Sequence, residues 1–199
     1  MDSTEIRVVC IGGSTRPNSS SEKAVKVSAG AAAAAGATVD LIVGRELIFP
    51  IYDTETQLRT PEATRFVDAV RGADALIVAS PGYHGSMSGM IKNALDYLED
   101  TKRDDRVYLD GMPVGCIAVA YGWQATVSTM QSLRTTVHAL RGWPSPLGAT
   151  INATSTAFDA DGACCDDAAR GQLETVALQV VEFARMRKAA LQPAVGAGV

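Results

Sequence analysis

Hydrophobic positions along this chain follow two alternating patterns: short unbroken aliphatic runs, and longer stretches in which apolar residues return with helical spacing. Residues 75–99 show both. Leu76-Ile77-Val78-Ala79 has no polar alternation, as expected of a strand covered on both faces of a parallel sheet. Ser80-Pro81-Gly82 stops it, because Pro brings no N–H to a ladder and Gly permits a sharp change of direction. Past Ser88, the residues Met90, Ile91, Ala94, Leu95 and Leu98 fall on one helical stripe, with Lys92, Asn93, Asp96 and Glu99 off it. Residues 81–88 are therefore expected to form a loop at the carboxyl end of a buried strand, where open α/β sheets hold ligands.

The same reading along the chain predicts further strands over residues 6–11, 38–43, 114–120 and 149–151. Helices are predicted over 20–35, with Ser as N-cap, Glu22 in the first turn and Gly36 at the stop, and over 61–72, with Pro in the first turn. Two more are predicted over 125–140 and 166–190. Residues 44–60 look irregular, 101–111 look like a charged loop, and Asp159-Ala160-Asp161-Gly162 looks like a turn. Five strands alternating with helices imply an α/β, flavodoxin-like three-layer sandwich, with a five-stranded parallel sheet in the order 2-1-3-4-5. There are no repeats and no internal boundary. Residues 1–191 are expected to form a single domain and 192–199 a frayed tail.

Composition narrows the class without changing it. The 199 residues are 47% hydrophobic and 20% charged, enough for one full core. A net charge of −4 leaves no basic footprint for nucleic acid or an anionic membrane surface. No apolar run approaches the ~18 residues of a membrane span, and residues 1–7 lack a leader pattern, so a cytoplasmic protein is expected. In that setting the sequons at Asn18 and Asn152 carry no meaning. Cys10 and Cys116 lie in apolar runs and read as small core residues. Cys164-Cys165, in a polar turn, read as an exposed pair, inert unless oxidised.

Three loops are expected at one edge of the sheet: residues 12–21, 81–88 and 121–124. The first holds Ser14, Thr15, Arg16, Ser19, Ser20 and Ser21 beside two glycines, ahead of a helix N-terminus. Free N–H groups, hydroxyls and a guanidinium there suit a phosphate, whereas the plainer reading is a serine-rich turn with an ordinary cap. The stretch has neither the Gly-Lys-Ser/Thr of a Walker loop nor a G-x-G-x-x-G dinucleotide fingerprint. The second loop offers Tyr83, His84 and Ser86, which suit the edge of a planar heterocycle. The third offers Tyr121, Gly122, Trp123 and Gln124. A phosphate at one end and a flat ring at the other fit a mononucleotide such as FMN.

At these residues the chain resembles the NADPH-dependent FMN reductase family. Three segments carry the likeness: Gly-Ser-x-Arg-x-x-Ser over 13–19, Ser-Pro-x-Tyr-x-Gly-Ser-x-Ser-Gly over 80–89, and Ile-Lys-Asn-Ala-Leu-Asp-Tyr-Leu over 91–98. The helix from Ala125 and the turn at 159–162 look most like flavin reductases that supply two-component monooxygenases. The resemblance implies that Ser14, Arg16, Ser19 and Ser21, helped by Ser20, hold the FMN phosphate. It implies that Pro81, Gly82, Tyr83, His84, Gly85 and Ser86 line the isoalloxazine ring, and that Tyr121, Gly122, Trp123 and Gln124 reach its pyrimidine side. The chain departs from the family in having His84 where Asn is usual, Gly82 where a larger residue is frequent, and no Gly-rich run in the third loop.

The implied reaction passes a hydride from NADPH or NADH to flavin N5, with no obligatory side-chain acid or base, so no catalytic residue is nominated. His84 could tune the ring or supply a proton, although a neutral imidazole bonded to flavin or backbone is the plainer reading. His138 reads as a packing residue. Lys92, Asn93 and Asp96 read as a solvated face, or, by the resemblance, as part of a homodimer or homotetramer contact to which Phe49, Tyr52 and Trp123 would add cross-subunit walls. A serine hydrolase is disfavoured because Gly85-Ser86-Met87-Ser88-Gly89 places Met where G-x-S-x-G needs the nucleophile. A flavodoxin-like electron carrier shares the fold but is usually far more acidic than −4. Quinone, azo-dye or chromate reduction would use the same space as flavin reduction.

Overall fold

The computed structural model describes residues 5–155 and 158–191, so the expected tail over 192–199 lies outside the described residues. The strands form where the aliphatic runs predict them. β1 (Ile6–Gly12) pairs in parallel with β2 (Ala37–Val43), from Ile6↔Ala37 to Gly12↔Val43, and with β3 (Ala75–Tyr83), from Val8↔Ala75 to Gly12↔Ala79. β3 in turn pairs with β5 (Pro113–Ala120), from Leu76↔Val114 to Pro81↔Val119. The sheet order is β2-β1-β3-β5, with the next place taken by two short segments, β6 (Trp143–Pro144) and β7 (Ala149–Asn152).

The five expected places in the expected order are present, but seven strands are formed. One extra arises because the fifth place is interrupted: Pro144 and Pro146 cannot donate to a ladder, and the chain leaves and rejoins β5 around them. The other is β4 (Ser86–Met87), which folds back antiparallel onto the end of β3.

Side chains of each strand alternate between two cores. Val9, Ile11, Leu76 and Val78 face α2 (Pro61–Gly72), α3 (Gly89–Asp96) and α4 (Trp123–Ala139). Ile6, Val8, Cys10 and Ile77 face α1 (Ser20–Ala34) and α5 (Asp167–Leu191). Covering both faces with helices is what removes period-2 alternation from the central strands. Helix starts follow cap chemistry: Thr60 Oγ1 accepts the Ala63 N–H at 3.3 Å and Ser88 Oγ accepts the Ile91 N–H at 3.2 Å. α4 begins at Trp123, two residues before the expected start, so Trp123 and Gln124 are first-turn helix residues.

Four expectations are corrected. Phe49 is 7% exposed and packs on Phe66 and Tyr97 of its own chain, with ring centroids 5.7 and 5.2 Å apart, so it cannot wall a neighbour's site. Asn93 is half-buried, accepting the Tyr52 N–H at 2.8 Å and donating to the Pro50 carbonyl at 2.9 Å, which holds an irregular segment rather than facing solvent. His138 is exposed, because the buried stripe of α4 runs through Met130, Leu133 and Val137. Cys164 is buried rather than exposed, and only Cys165 faces solvent, whereas Cys10 and Cys116 lie in the core as expected.

Candidate functional site

The carboxyl ends of β1, β3 and β5 lie side by side, and each hands the chain to one of the three predicted loops. After β1, Gly13 takes a φ of 104°, which turns the chain over the sheet edge. Ser14 Oγ then accepts the Arg16 N–H at 3.2 Å. Asn18 adopts a left-handed φ of 54°, and its N–H donates to Glu22 Oε2 at 3.1 Å. Ser19 caps α1 by accepting the Glu22 N–H at 3.3 Å, and its hydroxyl lies 3.2 Å from that of Ser21. The amide N–H groups of Ser19, Ser20 and Ser21 bond no described residue, and neither does the Arg16 guanidinium. Orphan amides, a helix dipole, hydroxyls and a free cation converge there, the chemistry of a phosphate cradle.

The second loop is a hairpin. β3 continues through Tyr83 and returns as β4, pairing Gly82↔Met87 and Tyr83↔Ser86. His84 and Gly85 form the turn with φ of 49° and 85°, the geometry of a two-residue type I′ connection. Gly adopts that conformation at no steric cost, and Asn, Asp and His are the side chains found there most readily, so His84-Gly85 is compatible with the turn. Ser80 Oγ accepts the Ser88 N–H at 2.9 Å and latches the hairpin base. The imidazole of His84 is exposed and bonds no described residue, backbone included. Ser86 Oγ lies 2.9 Å from Ser132 Oγ on α4.

At the third loop β5 ends, Tyr121 is 72% exposed, and Gly122, with φ 100°, opens α4 without a side-chain cap. The Gly122 N–H donates to Asn152 Oδ1 at 3.0 Å.

A cleft of about 230 Å³ joins these segments. Ser14, Arg16, Ser19, Ser20 and Ser21 line one end, and Pro81, Gly82, Tyr83 and Tyr121 the other. His84, Gly85, Ser86, Gly122, Trp123 and Gln124 stand outside this lining: the hairpin turn projects past it, and Trp123 and Gln124 have joined α4. Thr15 of the first loop also lines it, as do Val119, Ala120 and Ala153, and the last three were not singled out from the sequence. The signal for the last three was available, since each sits at the carboxyl end of a strand or one residue beyond.

A larger cavity of about 410 Å³ lies between residues 52–59 and 99–103. Its main charges are committed to each other: Arg59 grips Asp100 with Nε–Oδ2 at 2.7 Å and Nη2–Oδ1 at 2.9 Å. That fork holds the Asp100 carboxyl below the usual carboxylate range, against the opposing effect of burial. Such a fork serves structure, not ligand capture.

The family model for NADPH-dependent FMN reductase matches residues 6–156. The NAD(P)H-dependent FMN reductase PA1204 of Pseudomonas aeruginosa is 31% identical over 173 residues, covering 84% of this chain and 89% of that protein. A NADPH azoreductase of Bacillus sp. strain OY1-2 is 33% identical over 85 residues, 42% of this chain and 44% of the relative. Among solved structures, the flavoenzyme NAD(P)H:(acceptor) oxidoreductase FerB of Paracoccus denitrificans superposes with a TM-score of 0.72 at 21% identity, over 92% of this chain and 98% of FerB. A family model that spans residues 6–156 and a relative 31% identical over most of both chains show that this chain belongs to the NADPH-dependent FMN reductase family.

Proposed function

We propose that residues 1–191 act as one flavin-binding unit that oxidises NADPH or NADH and reduces FMN. The observation that carries this reading is one cleft lined both by Ser19, Ser20, Ser21 and Arg16, whose amides and guanidinium bond no other described residue, and by Gly82, Tyr83 and Tyr121. Ser14, Arg16, Ser19, Ser20 and Ser21 would hold the phosphate. Residues 81–86 and 121–124 would line the ring, Tyr83 and Tyr121 shielding it from water. When bound, FMN supplies the hydride-accepting N5 position. The chain's own part is to bind, orient and stabilise charge, and no side chain need transfer a proton in that step.

Tyr83, Tyr121 and Trp123 are all more than half exposed, which supports a homodimer or homotetramer in which a neighbour completes the walls. Delivery of reduced flavin to a monooxygenase in the cytoplasm is the use we favour. The partial likeness to a NADPH azoreductase supports FMN-dependent azo reduction as the second reading. The test is anaerobic addition of NADPH or NADH to protein purified with FMN. Bleaching of the yellow absorbance, followed by steady turnover with excess FMN, is expected, and a mere electron carrier would not sustain that turnover. Arg16→Ala should weaken FMN binding by about 1.5–3 kcal/mol if the guanidinium makes a charge-assisted phosphate contact.

A further inference from the structure

Resting on the phosphate-cradle reading, we propose that Glu22 and Lys26 form a charge-compensated positioning pair that sets how strongly the protein prefers FMN to the same flavin without its phosphate.

Residues 19–22 have the Ser-x-x-Glu spacing of a capping box, in which the acid normally bonds the N–H of the capping residue itself. Here Glu22 reaches one residue further. Its Oε2 accepts the Asn18 N–H at 3.1 Å, while the Ser19 N–H bonds no described residue. The displaced contact has two effects. It holds Asn18 at its left-handed φ of 54°, which fixes the approach of the loop to α1. It also keeps the Ser19 amide available beside those of Ser20 and Ser21, so a donor that an ordinary box would consume remains open to an anion.

The cost is a carboxylate in the first turn of α1, where the helix dipole favours the ligand's own charge. The Glu22 side chain is only 10% exposed, so water screens it poorly. It is wedged between two turns of chain: a Cβ on Gly44 would lie 3.5 Å from Glu22 Oε2 and 3.6 Å from the Ser14 carbonyl oxygen. Lys26 answers that charge, with Nζ 2.6 Å from Glu22 Oε1. Lys23 cannot share the task, because its Nζ donates to the Asp159 carbonyl at 2.8 Å. The carboxylate thus shapes the cradle through Asn18, and Lys26 prevents the same carboxylate from repelling a phosphate.

The test compares dissociation constants for FMN and riboflavin in the wild-type protein, Lys26→Met, Glu22→Gln and the double variant, each read by quenching of flavin fluorescence. The amide of Gln retains an acceptor for the Asn18 N–H while removing the charge. Lys26→Met should weaken FMN by about tenfold, as a partly screened charge near a dianion does, and leave riboflavin within about twofold. The FMN loss should shrink in high salt. Adding Glu22→Gln to Lys26→Met should restore FMN affinity. If Lys26→Met shifts both flavins equally, or if the double variant stays weak, the proposal is overturned while the cradle survives. A wild-type protein that binds both flavins alike overturns the cradle reading and this proposal with it. Melting temperatures of the four proteins separate these outcomes from simple unfolding.

Discussion

Asn152, the last residue of β7, accepts the Gly122 N–H at 3.0 Å and so ties the fifth sheet position to the turn that ends β5. The same Oδ1 takes the Thr154 N–H at 3.1 Å and the Thr154 hydroxyl at 2.8 Å. Asn152 is 7% exposed, whereas Gly122 is half-buried and Thr154 exposed, so removing this acceptor loses three hydrogen bonds of ordinary net worth. Asn152→Ala is expected to lower stability by about 1–3 kcal/mol. It should also weaken flavin binding, by freeing Tyr121 and the start of α4. Asn152→Asp keeps the acceptor and should retain most of the stability. Thermal melts with FMN titrations check both, and equal behaviour of the two variants would show that the contact does not position the turn.

Gly82 is where the hairpin touches α4. A Cβ there would overlap Thr129 Oγ1 and lie 3.0 Å from Ala120 Cβ. Thr129 is fully buried, its hydroxyl donating to the Ala125 carbonyl at 2.8 Å, so it has nowhere to move. Gly82→Ala should therefore destabilise by about 1–3 kcal/mol through overpacking. Adding Thr129→Ala should recover much of that loss, giving a favourable coupling in a double-mutant cycle followed by chemical denaturation.

The parallel sheet was legible because runs such as Leu76–Ala79 lack alternation, and the turn into α1 because glycines and serines precede a helix that Ser19 caps. The hairpin was not. Pro81 reads as a strand breaker yet keeps its place opposite Val119, and His84-Gly85 hides a turn that Asn-Gly would announce. The start of α4 was displaced because Gly122 carries no capping side chain to read. Asn93 lies off the apolar stripe of α3 and so looks solvated. Its partners, residues 49–52, have no period from which a contact could be inferred. The strand predicted over 149–151 stops one residue short of β7, so Asn152 and Ala153, at and just past its carboxyl end, were not read as part of the site.

Burial pushes the thiols of Cys10 and Cys116 up to about 12 and raises that of Cys164, so none of the three supplies thiolate near neutral pH. Only Cys165 is exposed. Native protein at pH 8 should accordingly show one rapidly reacting thiol in a colorimetric thiol assay, and all four once unfolded. Cys165→Ser should abolish the fast phase without changing flavin reduction. A fast second thiol in the native protein would mean that the loop around Cys164 opens readily.

The Arg59–Asp100 fork should set part of the acid stability. Arg59 lies 4.9 Å from the Tyr52 ring centroid and 5.4 Å from that of Tyr97, while Tyr52 donates its hydroxyl to Asp100 Oδ1 at 3.1 Å. The side chains of Arg59 and Asp100 are 13% and 25% exposed, so solvent screens the pair only partly. Hydrogen bonding to Arg59 is the largest influence on the Asp100 carboxyl and lowers its pKa in the folded state. A lowered folded-state pKa binds fewer protons than the unfolded chain does, so its stabilisation is fully present above the ordinary carboxylate range and is lost as pH falls through the folded value. The pair should thus contribute a constant amount from neutrality down to roughly pH 5, then progressively less below about pH 4. Asp100→Asn is expected to cost about 1.5–3 kcal/mol at pH 7. The cation–π contacts that remain around Arg59 bound that loss from above. Denaturation of both proteins across pH 3–7 checks this: their stabilities should converge on the acid side, and a gap that stays constant with pH would show that Asp100 acts there through packing rather than charge.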